Sequence, residues 1–275
     1  MKKILPLLLL LLIPQCMTEQ ERRVNDFDNC CKAARAGDAD TVMKYLRDKG
    51  VTISQRDNNN NTLLHYSAYF ERWALVRQLL DLGADVEMKD RSGSTLLGIM
   101  ANKGYRKETH DEFMALARYI VMKGAAVNAT NQFGYTPVFN ASDTGCADLL
   151  QILIENGGNV YVTTSIDCYP DWNSLKRLEG VTPLMIAAKK GNIECISLLV
   201  QGKAKINQQA ANGWTPVMFA IHSANLQTVQ ALIAHGADMT AIKNNSGQTG
   251  LDFALQAKNS QIRTYFSLPR SGNRK

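Results

Sequence analysis

The chain has 275 residues, with 31 Lys and Arg against 25 Asp and Glu, for a net charge of +6. Five of the cations, Lys2, Lys3, Arg270, Arg274 and Lys275, sit in the two end segments, so the remainder carries +1 and lacks the broad positive field that nucleic-acid binding needs. The sequence also contains no zinc-finger or RNA-motif signature, which leaves nucleic acid out of the expected partners.

In chain order the first element is a targeting segment. Met1, Lys2 and Lys3 form a short basic start, and residues 4–13 are an apolar run of ten. A bilayer-spanning helix needs about 20 such residues, so this run matches the n- and h-regions of an export signal over 1–15. No Ala-x-Ala site follows; Gln15 and Cys16 close the run instead. A cysteine directly behind a short apolar run resembles a bacterial lipoprotein signal, with Gln15 standing where that signal usually has Gly, Ala or Ser. The resemblance implies lipid on Cys16, a position on the periplasmic side of the cell envelope, and membrane contact through that lipid alone. A soluble periplasmic or secreted protein is the alternative. Residues 16–25 then read as a polar tether.

Beyond residue 50 one phrase keeps returning. It opens at Thr62, Thr95, Thr136, Thr182, Thr215 and Thr249, in steps of 33, 41, 46, 33 and 34 residues. In the copy over 57–90, Thr62 is placed to cap a short helix through Ala68 with its hydroxyl. Leu75, Val76, Leu79, Leu80 and Leu82 give a second, apolar helical face, and Gly83 supplies the left-handed residue that ends it. A degenerate earlier copy runs from Cys31 through Val42 and Leu46 to Val51, and a last one from Thr249 to about Leu268 carries Phe253, Ile262, Tyr265 and Phe266.

A period near 33 opened by a Thr-Pro-Leu-His-like phrase resembles the ankyrin repeat. The resemblance covers residues 26–268 and implies an all-α fold: an ankyrin-repeat solenoid of about seven helix-turn-helix units with short hairpin fingers, closed by a basic tail at 269–275. Such units bury their apolar faces against their neighbours, so stability is largely nearest-neighbour. Nothing in a capped array requires a second copy, so the expected state is a monomer.

Residue chemistry points away from catalysis. Cys30, Cys31 and Cys195 fall on apolar repeat positions and read as small core hydrophobes. Cys146 sits at an inter-helix turn, and pairing it with Cys168 would require an insertion to fold back across the repeat. His65 is the repeat-signature histidine, expected to make a structural hydrogen bond. His110, beside Asp111 and Glu112, reads as a solvated turn, since no second histidine or cysteine at metal-ligand spacing accompanies it. No nucleophile elbow, metalloprotease, phosphate-loop or dinucleotide motif is present, so no catalytic residue, metal or cofactor is expected.

Function is therefore sought where the repeat is interrupted. Eight extra residues fall near 104–112, and thirteen lie between 160 and 181, where a unit normally has its finger. The second insertion carries Tyr169 and Trp172, side chains that combine large area with a polar tip and so serve well as interface anchors. The ankyrin resemblance also implies a concave groove lined by the ends of the first helices. These positions hold Tyr69 and Phe70, Lys103, and Lys189 and Lys190, with Tyr69 and Phe70 as apolar anchors and Lys189 and Lys190 meeting acidic groups of a partner. The expected function is a non-catalytic protein–protein interaction scaffold of the bacterial cell envelope. The alternatives are an enzyme with a site in the 160–181 insertion, built on Asp167 and Asp171, or a secreted effector or immunity-type binder.

Overall fold

A computed structural model describes residues 18–164, 169–170 and 177–267. The chain divides into two compact units, residues 1–85 and 86–275. Among the described residues seven helix pairs follow one another, two in the first unit and five in the second.

The first unit holds α1 (Glu19–Ala36), α2 (Ala39–Asp48), α3 (Leu63–Tyr69) and α4 (Trp73–Asp81). α1 packs on α2 and α3, and α3 packs on α4, around buried Phe27, Cys30, Val42, Leu63, Trp73 and Leu79. α1 begins inside the stretch expected to be a tether. The Thr18 hydroxyl accepts from the Glu21 amide, and the Glu21 carboxylate accepts from the Thr18 amide, a reciprocal capping box that starts the helix at Glu19. An ion pair between Glu19 and Arg23, 2.6 Å long and one turn apart, supports that first stretch.

The second unit holds α5 (Leu96–Lys103), a single 3₁₀ turn (Lys107–Thr109), α6 (His110–Met122), α7 (Pro137–Thr144) and α8 (Ala147–Glu155). It continues with α9 (Pro183–Lys190), α10 (Ile193–Gln201), α11 (Pro216–His222), α12 (Leu226–Ala234), α13 (Gly250–Leu255) and α14 (Ser260–Ser267). Its first helices pack in the order α5, α7, α9, α11, α13, and its second helices in the order α6, α8, α10, α12. Two layers result, with Leu97, Phe113, Phe139, Leu150, Met185 and Ile196 buried between them. Between α8 and α9, two-residue strands β1 (Tyr169–Pro170) and β2 (Arg177–Leu178) pair antiparallel, with Tyr169 opposite Leu178.

The recurring threonine explains the spacing. Thr62, Thr95, Thr136, Thr182 and Thr249 each accept the backbone N–H three residues on, and so start the first helix of a unit. Pro137, Pro183 and Pro216 follow at the first helical position, where a missing N–H costs nothing. Thr215 departs from the pattern: its hydroxyl is buried and makes no such cap. His65 does what its position implied, its Nδ1 lying 3.0 Å from both the amide and the hydroxyl of Thr62 in a fully buried site.

The loops between pairs are equally regular. Asp90, Asn131, Ala210 and Asn244 each close a turn by donating their amide to the carbonyl four residues on. Neighbouring turns then join: Gln132 donates to the Ser92 carbonyl, Ala211 to Glu179, and Asn245 to Asn212, at 2.9–3.2 Å. Side chains add a second tie. Asn128 donates to the Gly157 carbonyl and accepts from the Asn159 amide, and Asn207 does the same with Gly236 and Asp238.

Candidate partner-binding surface

The first helices α3, α5, α7, α9 and α11 are buried almost throughout and surface only at their C-terminal ends, so those ends decide what each of these pairs presents. In the first unit Tyr69 is half-buried at the end of α3, and Phe70, its C-cap, is 48% exposed. The Arg35 guanidinium lies 4.3 Å from the Tyr66 ring centroid and 5.9 Å from that of Phe70, a cation over an aromatic pair. The Tyr66 hydroxyl in turn donates to Asp57. Phe70 thus offers an apolar face edged by one positive charge.

In the second unit the corresponding ends are Asn102 and Lys103, Asp143 and Thr144, Lys189 and Lys190, and His222 and Ser223. Successive ends touch. The Thr144 hydroxyl donates to the Ala101 carbonyl at 3.0 Å, and Lys190 Nζ lies 3.2 Å from Asp143 Oδ1. Lys190 thus has an acidic neighbour within the chain. Lys189 is half-buried, and burial, then the neighbouring Lys190, lower its pKa from the usual lysine value. Lys103 is exposed.

One side chain that the repeat pattern did not single out, Trp214, joins this face of the second unit. Trp214 stands with its ring 5.1 Å from that of His222 and 4.9 Å from that of Phe253. Beside them a concavity of about 280 Å³ is lined by Ile221, His222, Phe253, Ala257 and Lys258. The signal for Trp214 was its place directly before Thr215, one of the recurring threonines that mark the repeat. A second concavity, about 320 Å³, opens at the base of the insertion between Val160, Tyr161, Leu184, Lys205 and Gln208. Of the two anchors expected on the insertion, the backbone of Tyr169 lies in β1, and Trp172 falls outside the described residues, as do Cys16, Asp167, Cys168 and Asp171.

His110 is the clearest departure from expectation. It is the first residue of α6 rather than part of a solvated turn, and both of its ring nitrogens face carboxylates, Nε2 to Asp148 at 2.9 Å and Nδ1 to Asp111 at 3.0 Å. The four described cysteines are buried with free thiols: Cys30, Cys31 and Cys195 are pushed up to about 12 and Cys146 to about 11, in each case chiefly by burial. A thiolate is the reactive form, so at mildly alkaline pH these four should react with a thiol reagent only once the protein unfolds. Rapid labelling of any of them in native protein, located by mass spectrometry, would contradict this.

The comparisons with known proteins bear on most of the chain. A family model described as ankyrin repeats (3 copies) matches residues 5–90, 105–210, 163–243 and 184–267. A Danio rerio protein named as palmitoyltransferase ZDHHC13 is 26% identical over 185 residues, 66% of this chain and 26% of that protein. Ankyrin repeat and SAM domain-containing protein 6 of Rattus norvegicus is 35% identical over 100 residues, 36% of this chain and 11% of its own length. A Saccharomyces cerevisiae protein named as 26S proteasome regulatory subunit p28 is 27% identical over 233 residues, 82% of this chain and 91% of that one. The chain therefore spans about a quarter or less of the first two relatives. Among solved structures, the human ASB11 ankyrin repeat domain superposes with a TM-score of 0.68 at 21% identity, covering 88% of this chain and 99% of its own, which is a likeness of fold.

Proposed function

The chain belongs to the ankyrin-repeat family, whose domains generally mediate protein–protein interactions, and from that premise we propose that it is a non-catalytic scaffold which takes a protein partner along the ends of its first helices and on its inserted finger. The observation that carries the reading is the contrast along those helices. Six consecutive residues from Leu63 to Ala68 are buried, and the next two, Tyr69 and Phe70, come to the surface as aromatics. The same change recurs from Ala188 to Lys189 and Lys190. Fold alone does not name a ligand, so each unit is described by its own chemistry: apolar contact at Phe70 in the first, and acidic groups near Lys103 and Lys189 in the second.

The proposed setting is the cell envelope, with the repeats held on the periplasmic side by lipid on Cys16. The support is the sequence of residues 1–16; among the described residues no helix is long and apolar enough to cross a membrane. Growth with a labelled fatty acid should mark the intact chain and leave a Cys16→Ser variant unmarked. Equal labelling of both would remove the anchor from the proposal.

The partner is tested by crosslinking in native cells followed by affinity purification. A bait with Tyr69, Phe70, Lys103, Lys189 and Lys190 all changed to alanine should lose most of the partner recovered by the intact protein. A Tyr169→Ala, Trp172→Ala bait tests the finger separately. Recovery of the same protein in the same amount by all three baits would sink the proposed surface.

A further inference from the structure

Three second helices, α4, α10 and α14, are tied to the preceding helix pair by the residue just before their first turn. In the first unit Arg72 Nε donates to the Arg35 carbonyl at 3.0 Å. In the second unit Asn192 Nδ2 donates to the Ser142 carbonyl at 2.8 Å, and Asn259 Nδ2 to that of Ala224 at 2.9 Å. The matching position before α8 is Cys146, a buried thiol and at best a weak donor. There the inserted connection between α5 and α6 makes a different tie. The Tyr105 hydroxyl donates to Asp148 Oδ2 at 2.9 Å, and His110 Nε2 meets the same oxygen at 2.9 Å. The Tyr105 ring stands edge-on to the His110 ring at 4.6 Å and lies 5.6 Å from buried Phe113.

Proton counting makes this junction unlike the amide ties. His110 Nδ1 faces Asp111 Oδ1 while Nε2 faces Asp148 Oδ2. A neutral imidazole carries one N–H and can satisfy one carboxylate; the imidazolium satisfies both. We propose that Tyr105, His110 and Asp148 form a pH-responsive clasp, in which protonated His110 holds the inserted connection, residues 104–109, against α8 and loss of that proton loosens it.

The groups facing the imidazole fit that assignment. From α8 comes Asp148, from the connection Tyr105 and from its own helix Asp111, while the Cys146 thiol just before α8 acts on Tyr105. Farther out, Arg118 on α6 acts on Asp148 and Glu194 on α10 acts on Tyr105. The hydrogen bonds to Asp111 and then Asp148 hold His110 above its usual value, and those from His110 and then Tyr105 hold Asp148 below the usual carboxylate range. The histidine contribution is therefore complete below about pH 6.5 and lost as pH rises through the raised value. The aspartate contribution is present above about pH 3.9 and lost as pH falls through the lowered one. The clasp is tightest between those limits.

Hydrogen exchange of the connection, corrected for intrinsic rates and measured on the full chain at about pH 5.5 and about pH 8, tests this directly. Residues 104–110 should lose protection several-fold at the higher pH while α9 and α11 do not change. The His110 imidazole, followed by NMR, should titrate above the free value and move down in Asp148→Asn. His110→Gln should abolish the pH response. Asp111→Asn should shrink it and keep the connection protected at the higher pH, because a neutral His110 then gives its one N–H to Asp148. Protection that is independent of pH in the intact chain, or the same pH response in His110→Gln, would overturn the clasp. Circular dichroism of each variant checks that it is folded, and His110 is a half-buried residue at a helix start, outside the buried core of α6.

Discussion

Replacing Phe113 by alanine should destabilise the second unit by about 3–5 kcal/mol, the range for truncating a buried phenylalanine. The side chain is fully buried on α6, alongside Leu116, Ala117 and Ile120 of the same helix, which packs on α5 and α8. It also backs the Tyr105 ring, so the loss reaches the inserted connection. In a repeat array, stability is the sum of unit terms and nearest-neighbour interfaces. The variant should therefore show more than a lower urea midpoint: the interface between α6 and α8 should weaken first, and the transition should broaden or split. Met122→Ala is the matched control on the same helix. At 85% exposure its cost should stay within about 0.5 kcal/mol. A Phe113→Ala transition that keeps the midpoint of the intact chain would mean that α6 is not held by this packing.

Much of the fold was legible because one residue type does one job at a fixed interval. A threonine that caps a first helix must recur once per unit, and the spacing of Thr62, Thr95, Thr136, Thr182, Thr215 and Thr249 marked the units. Thr215 shows the limit of that inference, since it keeps the register and the buried position without making the cap. The start of α1 was legible in principle: Thr18 and Glu21 are a capping pair at the required spacing, but the polar sequence around them reads equally as a tether when no apolar stripe follows immediately. The site was harder. Which residues end each first helix follows from the period, so the surface positions of Phe70 and Lys103 could be assigned. Whether an end is already engaged depends on contacts between units 43–47 residues apart in sequence. The Lys190–Asp143 pair and the Tyr105–Asp148 and Thr144–Ala101 bonds are of that kind. His110 failed for the same reason: its neighbour Asp111 is visible in sequence, and Asp148 is not. In the insertion after α8, Tyr169–Pro170 and Arg177–Leu178 pair antiparallel, and periodicity says nothing about this pairing because nothing in it repeats.

The finger row supplies the second large effect. Gly213 sits at φ +78°, where an L side chain costs about 1–2 kcal/mol. A Cβ there would also fall 2.6 Å from Asn245 Oδ1, 2.7 Å from Asn245 N and 2.8 Å from Asn244 Cα. Two of those atoms are backbone of the next finger, so no side-chain rotation relieves the overlap, and forcing extra volume into such a contact costs about 1–3 kcal/mol more. Gly213→Ala should thus lose about 2–5 kcal/mol in all. Gly236 separates the two contributions. Its φ is +95° and a Cβ there would meet nothing within 4 Å, so Gly236→Ala should show the conformational cost alone, about 1–2 kcal/mol. The difference has a local signature. Asn245 N–H donates to the Asn212 carbonyl at 3.2 Å, and Asn245 Nδ2 to that of Ala211 at 2.8 Å, so both ties open when the fingers are pushed apart. Hydrogen exchange at Asn245 should rise in Gly213→Ala and hold in Gly236→Ala, and Trp214, one residue on, should report the change in its fluorescence. Equal losses in melting temperature for the two variants would show that the fingers do not bear on one another. The ring cluster of Trp214, His222 and Phe253 would then be placed by its helices alone, and the row of fingers would contribute nothing to the shape of the proposed binding face.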